Sequence, residues 1–332
     1  MPVDRFLPTR AAGLLKALVL IALLPAVPGA RAEASGNAAA APPPSDTAAL
    51  RRTLEAIVRE HRGVTGISIQ DLATGESISL RGDEPFPSAS LIKVPILVTL
   101  LDEVHAGRMR LDERIAMIER DRVPGAGILK HMASGLMPTL EDVAWLMTVI
   151  SDNTATNLIL DKLDIRTVWT KMEALGLPRT KVHSKTFRRH TSVAMDSSVV
   201  YGFGVTTPDE MVRLFAMLYR GEAVSPALDS LAIEMLKANQ DQGKLVRLLP
   251  PRVPVAHKSG DIDRARADCG IIFGPDTDVA ICVMTRENEE TTYGVDNPAH
   301  LTIARVAHAV FEHYNPSAAG ARASAAPPTG GR

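Results

Sequence analysis

The chain has 332 residues, enough for one or two domains, and 45% of them are hydrophobic, enough for a sizeable core. Lys plus Arg (37) nearly balance Asp plus Glu (38), no basic block occurs and aromatics make up 4%. A nucleic-acid footprint and a base-stacking surface are therefore excluded in favour of a small-molecule or neutral-polymer substrate. In chain order, Arg5, Arg10 and Lys16 precede an apolar run at 17–27 that is short for a membrane span, and Ala30-Arg31-Ala32 supplies the small residues of a cleavage site. This pattern predicts a signal peptide over 1–32, cleaved after Ala32, and export to the periplasm; an uncleaved anchor is the alternative. Residues 33–46, rich in Ala, Pro and Ser, predict a flexible linker, and 316–332 repeat that composition as a disordered tail. One folded unit, 47–315, lies between them.

Within it, DTAALRRTLEAIVRE carries apolar residues at helical spacing, with Asp46 or Thr47 as N-cap. VTGISIQDL and ESISLRG read as strands. Helices follow over 90–106, 139–150, 154–163, 166–175 and 207–220. VPVAHKSG, ADCGIIFG and DVAICVMTR read as three more strands, and 298–313 as a last helix. The fold class is α/β (α+β): an antiparallel five-stranded sheet assembled from both chain ends, flanked by helices, with an inserted all-helical lobe. A cleft is expected where lobe and sheet meet. Cys269 and Cys282 lie in two adjacent strand-like runs. A cross-strand disulfide and two buried free thiols are both open, because a one-residue register slip sends one side chain to the other face.

Three short motifs carry chemistry. Ser90-Leu91-Ile92-Lys93 opens a helix, so the Lys93 amine can reach the Ser90 hydroxyl three residues back. A serine hydroxyl needs a base, and a lysine serves as one when burial or a second cation lowers its pKa. The helix start also offers N–H groups to an oxyanion. Ser151-Asp152-Asn153 precedes another helix: Ser151 reads as a proton shuttle to a leaving nitrogen, and Asn153 as a partner of substrate and of Lys93. Lys258-Ser259-Gly260 ends a strand: Lys258 and Ser259 can fix a substrate carboxylate, Gly260 lets a substrate backbone lie close, and the Asp261 N–H can be a second oxyanion donor beside that of Ser90. Taken singly, the bland readings are a capped helix with a solvated lysine, an ordinary N-cap and a strand end. The apolar neighbours of Lys93 already argue against solvation there.

Each motif occurs once, in the order S-x-x-K, S-D-N, K-S-G, and together they resemble class A β-lactamases and their related serine hydrolases over about residues 50–315. FPSASLIK, LEDVAWLMTVISDNTATNLIL, TTPDEM and HKSG carry the likeness. The resemblance implies a three-layer sheet-and-helix fold, acylation of Ser90 and a structural role for Asn157. Two departures matter. The family's Ω-loop has a Trp-Glu pair whose Glu activates the deacylating water. Here Phe187 falls where the Trp stands and Arg188 where the Glu stands, no Glu lies between Glu173 and Glu210, and Asp196 matches no motif. Slow deacylation follows. Asp261 replaces a small neutral residue, and its charge would repel a β-lactam carboxylate unless Arg264 or Arg266, or Arg188 or Arg189 from the loop, neutralises it. A solvated face is the bland reading of these arginines.

The expected function is thus a serine hydrolase acylated by β-lactams or a related amide or ester. The alternatives are a related peptidase or esterase, and a β-lactam or peptidoglycan-fragment binder that does not turn over. No cofactor or metal is expected, since the histidines lack H-x-H and H-E-x-x-H spacing. Gly-x-Ser-x-Gly and phosphate loops are also missing, and nothing demands more than a monomer.

Overall fold

The computed structural model describes residues 47–318. The expected signal peptide and linker lie outside the described residues, as does the expected tail apart from 316–318. Five strands, β1 (Val64–Asp71), β2 (Ser77–Leu80), β6 (Val255–Ile262), β7 (Ala265–Ile272) and β8 (Val279–Arg286), form one antiparallel sheet in the order β2-β1-β8-β7-β6. The central strands read as nearly unbroken apolar runs because both faces are covered. In β8, Val279, Ile281 and Val283 join the core under the terminal helices α1 (Thr47–Glu60) and α9 (Pro298–Tyr314). Ala280, Cys282 and Met284 join the core shared with the helical lobe.

The lobe comprises α2 (Lys93–His105), α3 (Leu140–Val149), α4 (Asn153–Lys162) and α5 (Ile165–Ala174). α6 (Met195–Tyr201), α7 (Pro208–Arg220) and α8 (Pro226–Lys237) lead back to the sheet. The expected helices recur within a residue or so of their bounds, with one refinement: the first opens as a 3-10 turn, Ala89–Ile92, before α2. Three features were not expected. These are α8, the short α6, and a second small sheet ordered β3 (Phe86–Pro87), β5 (Gly204–Thr206), β4 (Lys181–Val182). Its two- and three-residue strands are too short to carry an alternating pattern. β6 also runs two residues beyond Gly260. At the far end, Ser317 bonds Asp276 through its N–H and its hydroxyl, so the segment expected as tail begins docked.

The register of β7 on β8 sets Cys269 directly opposite Cys282, both fully buried, and the two form a disulfide. Of the two readings left open by the sequence, the structure has the cross-strand bond.

Candidate active site

The 3-10 turn and the first residues of α2 are buried against β6 and the lobe, which carries Ser90 to the edge of the sheet. Gly260 makes this approach feasible. A Cβ there would stand 2.7 Å from Ser88 O and 2.9 Å from the nitrogens of Ser90 and Leu91. The sequence reading gave this glycine to substrate approach; in the structure it is the strand's own contact with the Ser90 turn that excludes a side chain. Alternation then divides β6: Lys258 and Gly260 share one face, Ser259 and Asp261 the other.

Lys93 is 1% exposed. Its Nζ lies 2.7 Å from Ser151 O, 3.0 Å from Ser151 Oγ and 2.8 Å from Asn153 Oδ1. Burial first, and then the neighbouring Lys258 charge, lower its pKa well below the ordinary lysine value. The solvated-lysine reading is thereby excluded. Nζ makes no hydrogen bond to Ser90 Oγ, the pairing that the S-x-x-K spacing predicts; its bonds go to Ser151 and Asn153. Burial also lowers Lys258 to about 8, against the opposing pull of Asp268 and Asp241.

The S-D-N turn caps a helix, as its bland reading has it, and it also sets Asn153 against Lys93. Asp152 is the N-cap of α4, accepting from Ala155 N, and its other oxygen accepts from Ile128 N at 2.7 Å and Leu129 N at 2.8 Å. That fixes the neighbouring 125–129 segment and leaves Ser151 and Asn153 facing the cleft. Ala89 (φ 45°), Ser151 (φ 57°) and Phe187 (φ 56°) are all non-glycine residues in the left-handed region, and all three line the cavity. Such backbone costs about 1–3 kcal/mol each and concentrates where structure holds functional groups in place.

The cavity has a volume of about 820 Å³ and is lined by Ser90, Ser151, Asn153, Lys258, Ser259, Gly260 and Asp261 among others. Of the sequence-predicted residues, Lys93 alone is not on its surface; it lies beneath, bonded to Ser151 and Asn153. From the loop at 183–203, Thr186, Phe187, Arg189 and Phe203 also face it. Asn157 clamps this loop: its Oδ1 accepts from Thr186 N at 2.8 Å and its Nδ2 donates to Thr186 O at 3.0 Å. The Thr186 hydroxyl is shared between Asn157 Oδ1 (3.0 Å) and Asn153 O (3.2 Å). The loop residue brought to Asn153 is therefore Thr186. The Arg188 guanidinium instead donates to Arg120 O, away from the cavity, which corrects its placement from sequence. Asp196 lies in the first turn of α6, and the acids among the lining residues are Asp241 and Asp261.

Asp261 is neutralised, largely by residues the sequence did not single out. Lys244 Nζ lies 2.9 Å from its Oδ2, His300 Nε2 3.0 Å and Arg266 Nε 3.4 Å from its Oδ1. Arg266 was anticipated. Arg264 was as well, but it donates to Asn288 O and Glu287 O instead. Lys244 also pairs with Asp241 at 2.6 Å. Burial raises the pKa of both carboxyl groups, yet the His300 bond and the Lys244 charge at Asp261, and the Lys244 charge at Asp241, outweigh it and leave both below their ordinary values. Nothing in NQDQGKL marks Lys244 as buried, because its second partner, Asp261, lies on β6. His257 turns away from the Lys258 face, as alternation predicts, and pairs with Asp268 at 2.9 Å.

With this geometry in hand, comparison with known proteins is direct. A profile described as "Beta-lactamase enzyme family" matches residues 49–314. The chain belongs to the beta-lactamase enzyme family. A beta-lactamase of Streptomyces cellulosae is 29% identical over 281 residues, 82% of this chain and 88% of that protein. The crystal structure of a beta-lactamase from Sphaerobacter thermophilus aligns with a TM-score of 0.71 at 25% identity, covering 81% of this chain and 97% of that one. A mutant of PBP-A, solved as an acyl-enzyme complex with penicillin G, aligns with a TM-score of 0.71 at 26% identity, covering 80% of this chain and 96% of that one. The beta-lactamase and penicillin-binding-protein fold expected from the motifs is thus the fold of this family member.

Proposed function

We propose that this family member is a serine acyl-transfer hydrolase that opens β-lactams or a related amide or ester through an acyl-enzyme on Ser90, and that it deacylates slowly. The observation that carries the reading is the buried Lys93 amine held by Ser151 and Asn153 one helical turn from Ser90. Neutral Lys93 takes the Ser90 proton as Oγ attacks the carbonyl carbon. The N–H groups of Ser90 and Asp261 receive the oxyanion. As the C–N or C–O bond breaks, Ser151 passes the proton from Lys93 to the leaving group. Water must then cleave the ester on Ser90. Thr186 offers that water a hydroxyl already engaged by Asn157 and Asn153, and no carboxylate of the loop lines the cavity. A general base is worth about 10²–10⁴ in rate. Missing it also favours a second reading, a binder of β-lactams or cell-wall fragments that acylates once. Export to the periplasm belongs to the same proposal; the 1–32 pattern supports it, as does the disulfide, a bond that persists in oxidising compartments.

Hydrolysis of a chromogenic cephalosporin tests the reading. Wild type is expected to release about one equivalent per chain in a burst and then turn over slowly. Ser90→Ala should give no burst, and Thr186→Glu should raise the slow phase at least about tenfold, whereas Arg188→Glu should not. A burst that survives Ser90→Ala contradicts the nucleophile assignment. Fast wild-type turnover contradicts slow deacylation.

A further inference from the structure

Beyond Ser259 the cavity wall presents negative charge. Asp241 and Asp261 line it with side chains 26% and 25% exposed. The cations that balance them stand behind: Lys244, bridging both carboxylates, is 2% exposed and Arg266 0%, and His300, which also bonds Asp261, is 6% exposed. A ligand entering here meets carboxylate oxygens before it meets their partners.

The groups expected to hold a substrate carboxylate are also engaged. The Ser259 hydroxyl lies beside Asp241, near enough to help hold that carboxyl below its ordinary value. Lys258 is 1% exposed, and its Nζ donates to Ser259 O at 2.9 Å. Arg189, also on the cavity surface, comes from the separate 183–203 loop. A substrate carboxylate set against Ser259 would share that position with Asp241 and stand two residues from Asp261 on the same face of β6. Like charges brought together in a partly desolvated wall are strongly unfavourable, whereas a protonated amine would donate to oxygens that face it.

We infer that Asp241 and Asp261 determine the substrate preference of this cavity: on the leaving-group side it takes a substrate bearing a protonated amine in preference to one bearing a carboxylate. The inference rests on Ser90 as nucleophile and adds the class of substrate. Lys244 is its positioning residue, tying Asp241, from the segment before β6, to Asp261 on the strand itself.

Three phenylacetylglycyl esters of phenol test it, alike except for a meta aminomethyl, carboxymethyl or hydroxymethyl group on the leaving phenol. Ser90-dependent kcat/KM is measured for each with wild type, Asp241→Asn and Asp261→Asn. Wild type should favour the aminomethyl over the carboxymethyl ester by about tenfold or more, and each variant should shrink that ratio. The neutral hydroxymethyl ester reports general damage, which would slow all three alike. Equal wild-type rates, a faster carboxymethyl ester, or a ratio unmoved in both variants would overturn the inference alone. Hydrolysis of all three that survives Ser90→Ala would overturn the nucleophile assignment and the inference with it.

Discussion

At Lys93 one nitrogen meets three oxygens, and the protonation state decides what they do. A neutral amine has two N–H groups, which suit Ser151 O and Asn153 Oδ1, and one lone pair, which the proposed mechanism turns from Ser151 Oγ to the Ser90 hydroxyl. Burial favours that state. The sign of the pH dependence follows. Below its lowered pKa Lys93 is protonated and cannot serve as base, so acylation rises with pH through that value. Lys258 acts charged on an anionic substrate and loses its proton at about 8, so with a carboxylate-bearing β-lactam the rate falls again above that pH. A neutral ester should keep the acid limb and lack the alkaline one, as stopped-flow acylation rates between pH 5 and 10 would reveal. These residues were legible because their motifs are local: Lys93 lies three positions from Ser90, and Lys258 beside Ser259. Lys244 and His300 were not, since they meet Asp261 only once separate segments have folded together. Thr186 was missed for a related reason. Its place is fixed by the Asn157 clamp, and counting along the loop from an aromatic residue put Arg188 there instead.

Strand β6 and the turn that carries Ser90 form the element on which the geometry depends, and they touch through backbone. Gly260→Ala would drive a methyl group into Ser88 O and the Ser90 nitrogen. Overpacking of this kind costs about 1–3 kcal/mol, and here the strand moves away from the turn that bears Ser90. The expected result is a lower Tm in thermal unfolding together with a fall in acylation rate larger than the stability change explains, because the N–H groups of Ser90 and Asp261, the proposed oxyanion donors, separate. An unchanged acylation rate would show that the β6 contact serves packing only. Alternation in β1, apolar runs in β7 and β8 and helical periodicity made the main sheet readable, along with most helices. α8 went unread although Ser225-Pro226 is a plausible helix start, and the small sheet of β3, β4 and β5 offers no run long enough to reveal a period.

On the scale of the whole molecule, the sheet separates two apolar cores, one under α1 and α9 and one shared with the lobe, and the Cys269–Cys282 bond crosses β7 and β8 on the lobe side. The bond closes a loop with a sequence separation of 13. Loops of about that size give about 3 kcal/mol through the unfolded chain. Denaturant unfolding of the Cys269→Ala, Cys282→Ala double variant should show a loss of that order, with penicillin acylation retained in the folded protein; no loss would mean that the bond adds nothing to stability. Sequence alone could not choose between disulfide and thiols, because the choice depends on register, and register is a property of the assembled sheet. The central claim concerns Ser90, and intact mass is its most direct test. The purified chain is mixed with penicillin G and its mass followed for hours, beside Ser90→Ala and Thr186→Glu. The account predicts one penicillin-sized increment on wild type that persists, none on Ser90→Ala, and a transient one on Thr186→Glu. An increment on Ser90→Ala, or none on wild type, would contradict it.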